Sequence, residues 1–366
     1  MTSSCLTEDI AVEALRNFFR EKPFVFFGTG MSCALDPRFG MIALRDAIIS
    51  GIESRMLNNA QKVEWASVML CLEKGFDLEN ALNSVTDPGL LRAVTEITGS
   101  FIAAVDREFA YQIAQGSVRW PATRLLKKLV DTLPEGDRIL HILTPNYDML
   151  CEYACDYEDI PYTNGFAGSI ERKTNWSAVD CSLRTLERVP YGKRFQRICK
   201  QKKHVRIYKV HGSLNYFFHR NAVVENNAWM WDPPDFAPRV MITPGISKYQ
   251  TLQSYRQELL QSADAAINNA SHFLFLGYGF NDSHLEEYIK RKLVTQSCHG
   301  LIVTRDLNPR IQALLDQSDN LWLVCRSEGG ATEGTSVSNK QYNGSWVLPD
   351  AQLWDIGEFT ERILGG

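Results

Sequence analysis

Short apolar runs alternate along this chain with longer amphipathic segments. The runs PFVFF, RILHILT, VRIYKV, HFLFL, GLIV and NLWLV are almost continuously apolar, as strands buried on both faces of a sheet are. The segments between them carry apolar residues at three- and four-residue intervals, which predicts amphipathic helices. Strands that alternate with helices predict an α/β fold, namely a Rossmann-like parallel sheet with helices on both faces.

One long stretch departs from this alternation. Residues 41–120 contain IALRDAIISGIESRML, VEWASVMLCLEKG and SFIAAVDREFAYQIA, which all have helical periodicity. A single crossover between two parallel strands does not need so many helical residues. We therefore predict a helical subdomain inserted after the first strand.

Two further stretches lack a clear period. Residues 164–204 are predicted to be a loop-rich basic insertion, and eight of residues 192–209 are Lys or Arg. Such a basic run indicates a solvated face, with a nucleic-acid or partner contact as the alternative. Residues 1–306 are predicted to form the main domain, and 307–366 an α/β extension packed on it. Within this extension the polar, glycine-rich residues 327–344 are predicted to be a loop.

Composition narrows the class of protein. The net charge of −4 gives no general reason to expect nucleic acid or a membrane as partner, and no apolar run reaches the roughly 18 residues of a membrane span. The nine cysteines are odd in number and scattered, which indicates reduced thiols in a cytoplasm. The sequence has no CxxC pair, so we expect no four-cysteine zinc site and no metal.

Four of the predicted strands end in polar or glycine-rich turns. These are GTGMS (28–32), TPNYD (144–148), HGS (211–213) and GYGFND (277–282). The carboxyl ends of parallel strands share one edge, and open α/β sheets bind ligands there. A Gly-x-Gly turn at a helix start also exposes backbone N–H groups to a diphosphate. Each motif alone has a simpler interpretation as a tight turn, a satisfied histidine or a helix cap, and the prediction depends on their combination.

In this order the four turns resemble the motifs of the sirtuin superfamily. GTGMS matches the first glycine-rich loop, TPNYD the Thr-x-Asn-x-Asp motif and HGS the histidine–glycine turn, while GYGFND stands at the ribose loop. The resemblance covers about residues 20–306. Protein-deacylating sirtuins carry a zinc ribbon of two CxxC pairs and Gly-Ile-Pro-Asp-Phe-Arg after the first loop, and this chain has neither. In its GYGFND form and its missing zinc site it is similar to the bacterial sirtuin-like branch of anti-phage defence systems.

The resemblance implies that NAD is the substrate and that three residues act in catalysis. Asn146 would hold the ribose hydroxyl or the attacking water, because an amide both donates and accepts without adding charge. His211 would take a proton from ribose or water. Asp148 would orient the nicotinamide amide or nearby backbone, and capping of the following helix is the equally weighted alternative.

The resemblance also implies two groups of binding residues. The diphosphate and the nearby ribose would contact Gly28, Thr29, Gly30 and Ser32, and the adenosine side would contact Gly277, Tyr278, Gly279 and Phe280, with Asn146 and Asp148 completing the set. Asp282 has two interpretations, a ribose contact or a helix cap, of which the cap is favoured. Arg305 and Asp306 are predicted to form a surface turn rather than to reach the adenine ribose.

The function implied is hydrolysis of NAD to ADP-ribose and nicotinamide, which would deplete NAD during anti-phage defence. Such an enzyme requires regulation, by homo-oligomerisation or by a partner such as an Argonaute-like protein or a motor ATPase. Two alternatives stay open. One is an NAD-dependent protein deacylase or ADP-ribosyltransferase, and the other is a non-catalytic module that binds NAD or ADP-ribose.

Overall fold

A computed structural model describes residues 4–243, 253–296, 298–327 and 333–365. Its helices are α1 Glu8–Phe18, α2 Thr29–Cys33, α3 Met41–Glu53, α4 Asn59–Glu73, α5 Leu78–Leu82, α6 Pro88–Ala114, α7 Thr123–Asp131, α8 Leu150–Tyr157, α9 Trp176–Ser182, α10 Gln253–Asn269, α11 Ser283–Thr295, α12 Pro309–Gln317 and α13 Ile356–Leu364, with 3-10 turns at Pro37–Phe39 and Asn227–Trp229.

The strands are β1 Phe24–Phe27, β2 Ile139–Thr144, β3 Tyr162–Thr163, β4 Phe166–Gly168, β5 Arg172–Thr174, β6 Arg184–Tyr191, β7 Arg194–Gln201, β8 His204–Lys209, β9 Gly212–His219, β10 Ala222–Glu225, β11 Arg239–Met241, β12 His272–Leu276, β13 His299–Val303, β14 Leu321–Arg326, β15 Thr335–Ser338 and β16 Trp346–Leu348.

The largest sheet of the described chain has nine strands in the order β16-β15-β14-β13-β12-β1-β2-β8-β3. The strands from β14 to β3 are parallel, and β15 and β16 add an antiparallel edge. All four residues of β1 are buried, because helices cover both faces of the sheet. One face packs on α1, α6, α7, α8 and α13, and the other on α10, α11 and α12. The predicted α/β fold with a parallel sheet is confirmed.

The turns after β1 and β12 contact each other through their backbones. These strands are parallel neighbours, with Phe27 beside Leu276. Gly30 N–H donates to the Gly277 carbonyl at 3.0 Å. A Cβ built on Gly28 would lie 2.2 Å from that same carbonyl oxygen, and one on Gly277 would lie 2.6 Å from the Met31 nitrogen. Glycine is therefore required at positions 28 and 277, where the two turns meet.

The helices predicted between residues 41 and 120 are present as α3 to α6. They have a small core of their own, which packs around Ile48, Trp65 and Leu82. Helix α6 is 27 residues long and continues into the main core, where Ile102, Phe109 and Ile113 are buried. One helix therefore joins the helical block to the sheet.

The expectation of a loop-rich stretch over residues 164–204 is wrong. The structure has β4, β5, α9 and an antiparallel ribbon of β6 and β7 in this region. The ribbon has no buried residue: β6 alternates between exposed and half-buried positions up to Val189, and β7 is exposed from Arg194 to Arg197 and mostly half-buried after that. Apolar periodicity is absent where no face enters a core. The structure also has a separate five-stranded sheet, β11-β9-β10-β5-β4, which the sequence pattern does not predict.

The C-terminal residues extend the main sheet and cover one of its faces. Ile356, Phe359 and Ile363 of α13 are buried in the main core. Strand β15 lies within residues 327–344, where we expected a loop, and pairs with β14. Residues 328–332 of that stretch lie outside the described residues. Across the described ranges, no helix has both the length and the apolar character to cross a bilayer.

Asp106 of α6 forms hydrogen bonds with the segment that follows β2. This fully buried carboxylate accepts hydrogen bonds from Met149 N–H at 2.8 Å, Tyr153 Oη at 2.6 Å and Trp231 Nε1 at 3.2 Å. Burial raises its pKa to about 6, against the opposing effect of these donors.

This raised pKa predicts a pH dependence of stability. The folded state takes up the Asp106 proton before the unfolded chain does, so the protonated carboxyl favours folding below about pH 4. That contribution is lost as pH rises through about 6. Relative to Asp106→Asn, the wild type should lose about 3 kcal/mol of unfolding free energy between about pH 4 and about pH 7. Urea denaturation at each pH measures this, with exposed Asp350→Asn as control. Parallel pH profiles for wild type and Asp106→Asn would contradict it.

The glycine contact predicts a second stability difference. Gly277 has φ +54° and a backbone neighbour within 2.6 Å, whereas Gly75 has φ +85° and open space around its Cβ position. Gly75→Ala should cost about 1 to 2 kcal/mol from backbone strain alone. Gly277→Ala should cost clearly more, since the turn after β1 must also move. Thermal and urea denaturation of both variants test this, and equal losses would refute the steric argument.

Candidate active site

The four predicted turns follow β1, β2, β8 and β12, which are neighbours in the sheet. Together with the helical block they line a cleft of about 370 Å³. Predicted residues on its wall are Gly28, Thr29, Asn146, Asp148, His211, Tyr278, Gly279 and Phe280. The cleft lies where the chain turns from strands on one side of β1 to strands on the other, the usual ligand position of open α/β sheets.

Asn146 is held by the turn after β1. Its amide nitrogen donates to the Gly28 carbonyl at 3.0 Å and to Ser32 Oγ at 3.0 Å, which uses both of its hydrogens. Its Oδ1 accepts one long bond of 3.4 Å from Thr29 Oγ1. The side chain therefore has a fixed orientation and keeps acceptor capacity on Oδ1 for a ligand.

Asp148 acts on Asn146 through Ser32. Ser32 Oγ donates to Asp148 Oδ2 at 2.7 Å, so its oxygen is turned to accept from the Asn146 amide. The other carboxylate oxygen of Asp148 accepts from Leu150 N–H at 3.2 Å, at the start of α8. The structure thus shows the helix-end contact and adds a positioning contact that the sequence did not indicate.

A buried lysine lies beneath this turn. Lys209, at the end of β8, forms an ion pair with Glu152 at 3.0 Å, and both side chains are almost completely buried. Its ammonium also donates to the Asp148 carbonyl and to Ser213 Oγ. Burial raises the pKa of Glu152, and the positive charge of Lys209 opposes that rise. The Lys209 side chain therefore contacts three elements at once: helix α8, the turn after β2 and the turn after β8.

His211 is paired with Asp282, the carboxylate for which the sequence favours a helix cap. Its Nε2 lies 2.8 Å from Asp282 Oδ2, and both side chains are largely buried. A carboxylate at this position holds the ring proton on Nε2 and leaves Nδ1 as the proton acceptor of the neutral ring. Asp282 also begins α11 by its backbone, since its carbonyl accepts from Glu286 N–H. The favoured cap interpretation therefore missed the contact of this side chain with His211.

The turn after β12 offers a ligand mainly its backbone. The rings of Tyr278 and Phe280 belong to the core and pack on Phe275. From the next βα unit, Asn308 Nδ2 donates to the Gly279 carbonyl at 3.0 Å. Arg310 donates to the Phe280 carbonyl at 3.2 Å and also lines the cleft. Asn308 and Arg310 thus stabilise the backbone of this turn, and Arg310 also places a positive charge at the rim of the cleft.

The helical block supplies the opposite wall. Asp77, Glu79 and Asn83 of the α5 region line the cleft. Burial raises the pKa of Glu79, the negative charge of Asp282 raises it further, and the nearby His211 opposes the rise. Sequence reasoning did not assign these residues, because nothing local in a helical insertion shows which helix will face the sheet edge.

Some predicted residues do not reach the cleft wall. Ser32 is buried behind Asn146, Gly277 packs on the turn after β1, and Gly30 is likewise not among the lining residues. Arg305 and Asp306 form an exposed ion pair, as predicted for a surface turn. The described part of the chain has no cluster of three or more His, Cys, Asp or Glu side chains placed to hold a metal ion.

Comparison with known families agrees with this geometry. The family model described as a SIR2-like domain matches residues 140–321, which include three of the four turns and the His211–Asp282 pair. No curated protein matches the chain. SIR2-like domains bind NAD and act as NAD-dependent enzymes. Residues 140–321 are therefore similar to a SIR2-like domain, which supports a sirtuin-like family for the chain.

Proposed function

We propose that this protein is an NAD glycohydrolase, which cleaves NAD to ADP-ribose and nicotinamide with water as the acceptor. The observation that carries the proposal is that Asn146 and the His211–Asp282 pair line one cleft at the sheet edge. Asn146 is oriented to accept a hydrogen bond, and the contact of His211 Nε2 with Asp282 would leave Nδ1 of His211 to accept a proton.

The residues of the cleft suit the charge that this reaction develops. The bond in NAD joins ribose to a nicotinamide that is already cationic, so no acid is needed to protonate the leaving group. Asp148, Asp282 and Glu79 place negative charge around the cleft and would stabilise positive charge developing on the ribose. The backbone N–H of Thr29 and the Arg310 guanidinium would supply donors for the diphosphate, while Gly28, whose own N–H donates to the Leu276 carbonyl, would allow a close approach.

In this scheme two side chains handle the acceptor. Asn146 Oδ1 would accept one hydrogen of the attacking water, or alternatively would hold a ribose hydroxyl. His211 would take the second proton of the water as its oxygen bonds to the ribose carbon and the bond to nicotinamide breaks, and Asp282 would stabilise the resulting imidazolium. Asp148 would act through Ser32 as a positioning residue for Asn146.

Water is favoured over an acyl-lysine because the sequence has no CxxC pair from which to build a zinc ribbon. We further propose that the activity depletes NAD in anti-phage defence. Oligomerisation or a second component, such as an Argonaute-like protein or a motor ATPase, would regulate it.

Release of nicotinamide from NAD by the purified chain tests the activity. Asn146→Ala and His211→Ala should each reduce the rate at least a hundredfold, since each removes a group that acts on the acceptor. Exposed Asn59→Ala and His299→Ala are matched controls and should keep the wild-type rate. Circular dichroism should show all four variants folded.

The same assay distinguishes the alternatives. Release that requires an acylated peptide would replace the proposal with a protein deacylase. Binding of NAD without release, in the presence and absence of other components, would leave a non-catalytic module. Near-normal turnover by Asn146→Ala or His211→Ala would overturn the assignment of these residues.

Asp282→Asn tests the positioning of His211. The amide is isosteric but cannot stabilise an imidazolium, so kcat should fall about a hundredfold or more while KM changes little. Asp306→Asn is the matched control, because Asp306 follows the adjacent strand and is exposed outside the cleft. A loss confined to KM would assign Asp282 to substrate binding instead.

A further inference from the structure

Strands β6 and β7 form a ribbon that pairs with no other strand of the described chain. Its ladder runs from Arg184 opposite Gln201 to Tyr191 opposite Arg194. A two-stranded ribbon without a sheet behind it has little intrinsic stability in water. The ribbon contributes no residue to the active-site cleft.

The structure divides the basic stretch 192–209 into two parts. Four of its Lys and Arg side chains form ion pairs or hydrogen bonds with other groups of the described chain. Lys200 pairs with Glu135 and Glu187, Arg206 with Asp180 and Lys209 with Glu152, and Lys203 donates to the Asp131 carbonyl. The other four form no ion pair with a described carboxylate: Lys193, Arg194 and Arg197 at and near the ribbon's tip, and Lys202 between β7 and β8.

One face of the ribbon is basic, apolar and free of acids. Directly opposed residues share a face, so the register places these side chains together: Arg184, Leu186, Arg188, Pro190, Phe195, Arg197 and Cys199. All seven are exposed. Glu187, the only carboxylate of the ribbon, lies on the other face and pairs with Arg138 at 2.6 Å.

The arrangement on this face is unfavourable in isolation. Arg188 and Arg197 are directly opposed, and like charges at opposed positions destabilise a strand pair. No described carboxylate pairs with either of them. The Arg188 guanidinium lies 5.2 Å from the centre of the Phe195 ring, which is itself 66% exposed. An anionic partner with flat apolar groups would neutralise the repulsion between Arg188 and Arg197 and would cover the exposed Phe195 ring.

We propose that this ribbon face binds single-stranded nucleic acid. The arginines would contact successive phosphates, and unpaired bases would stack on the Phe195 ring and the guanidinium plane beside it. A single strand offers an unpaired base with every phosphate, whereas Asp and Glu side chains carry no ring and a duplex keeps its bases stacked inside. The chain's net charge of −4 does not prevent this, because distant surface charges are screened beyond about 10 Å.

Fluorescence anisotropy of a labelled mixed-sequence DNA strand of about 20 nucleotides, titrated with the full chain, tests the proposal. Arg188→Glu/Arg197→Glu should weaken binding at least tenfold. The slope of log K against log salt should fall by about 0.7 for each lost phosphate contact. Lys62→Glu/Lys74→Glu makes the same change of net charge at exposed residues of the helical block and should stay within about twofold of wild type.

Phe195→Ala separates stacking from charge. Binding should weaken about tenfold with an unchanged salt slope, because a ring is lost and no cation is. Phe236→Ala is the matched control, since Phe236 is also 66% exposed but lies outside the ribbon. Nicotinamide release without nucleic acid should be unchanged in all four variants, so failure of this proposal and failure of the hydrolase are distinguishable.

Four results would overturn the proposal. They are no anisotropy change at low salt, equal losses in the charge-matched control, displacement of the strand by polyglutamate at equal charge concentration, and tighter binding of duplex than of single strand. Polyglutamate displacement would favour an acidic protein partner instead.

Discussion

Gly28 and Gly277 meet backbone to backbone between the central strands β1 and β12, and the geometry of the cleft depends on this contact. Because no side chain separates the two turns, Gly28 can offer its carbonyl to Asn146 while Gly30 bonds to Gly277. The orientation of Asn146, and through Ser32 its link to Asp148, follows from that approach. A ligand at this edge would meet a surface fixed by main-chain atoms.

A buried polar network maintains the other half of the cleft. Lys209 joins Glu152 to the carbonyl of Asp148, and Asp106 of the helical block accepts from Met149. Groups so deeply buried are costly unless they are paired, so the network holds only when β2, β8, α6 and α8 are all in place. The same assembly brings His211 and Asp282, 71 residues apart in the sequence, within 2.8 Å.

The molecule also separates its charges in space. Carboxylates lie around the cleft, where the proposed reaction would develop positive charge on the ribose. Unpaired arginines collect on one face of the β6–β7 ribbon, which lines no part of the cleft. The net charge of −4 is summed over the whole chain and describes neither region. The cleft proposed for catalysis and the ribbon face proposed for nucleic acid are therefore separate surfaces of the same chain.

Sequence alone determined the parallel sheet, the helical block and the four turns, because apolar runs and glycine-rich strand ends are local signals. It also placed Asn146, Asp148 and His211 at one edge, since the ends of parallel strands must meet there. Tertiary structure decided the partners of these residues. Asp282 looked like a helix cap, and only the position of β8 beside β2 and of β12 beside β1 shows that its side chain meets His211. The approach of Glu79 and the exposed face of the ribbon depend likewise on packing and cross-strand register, which no local pattern encodes.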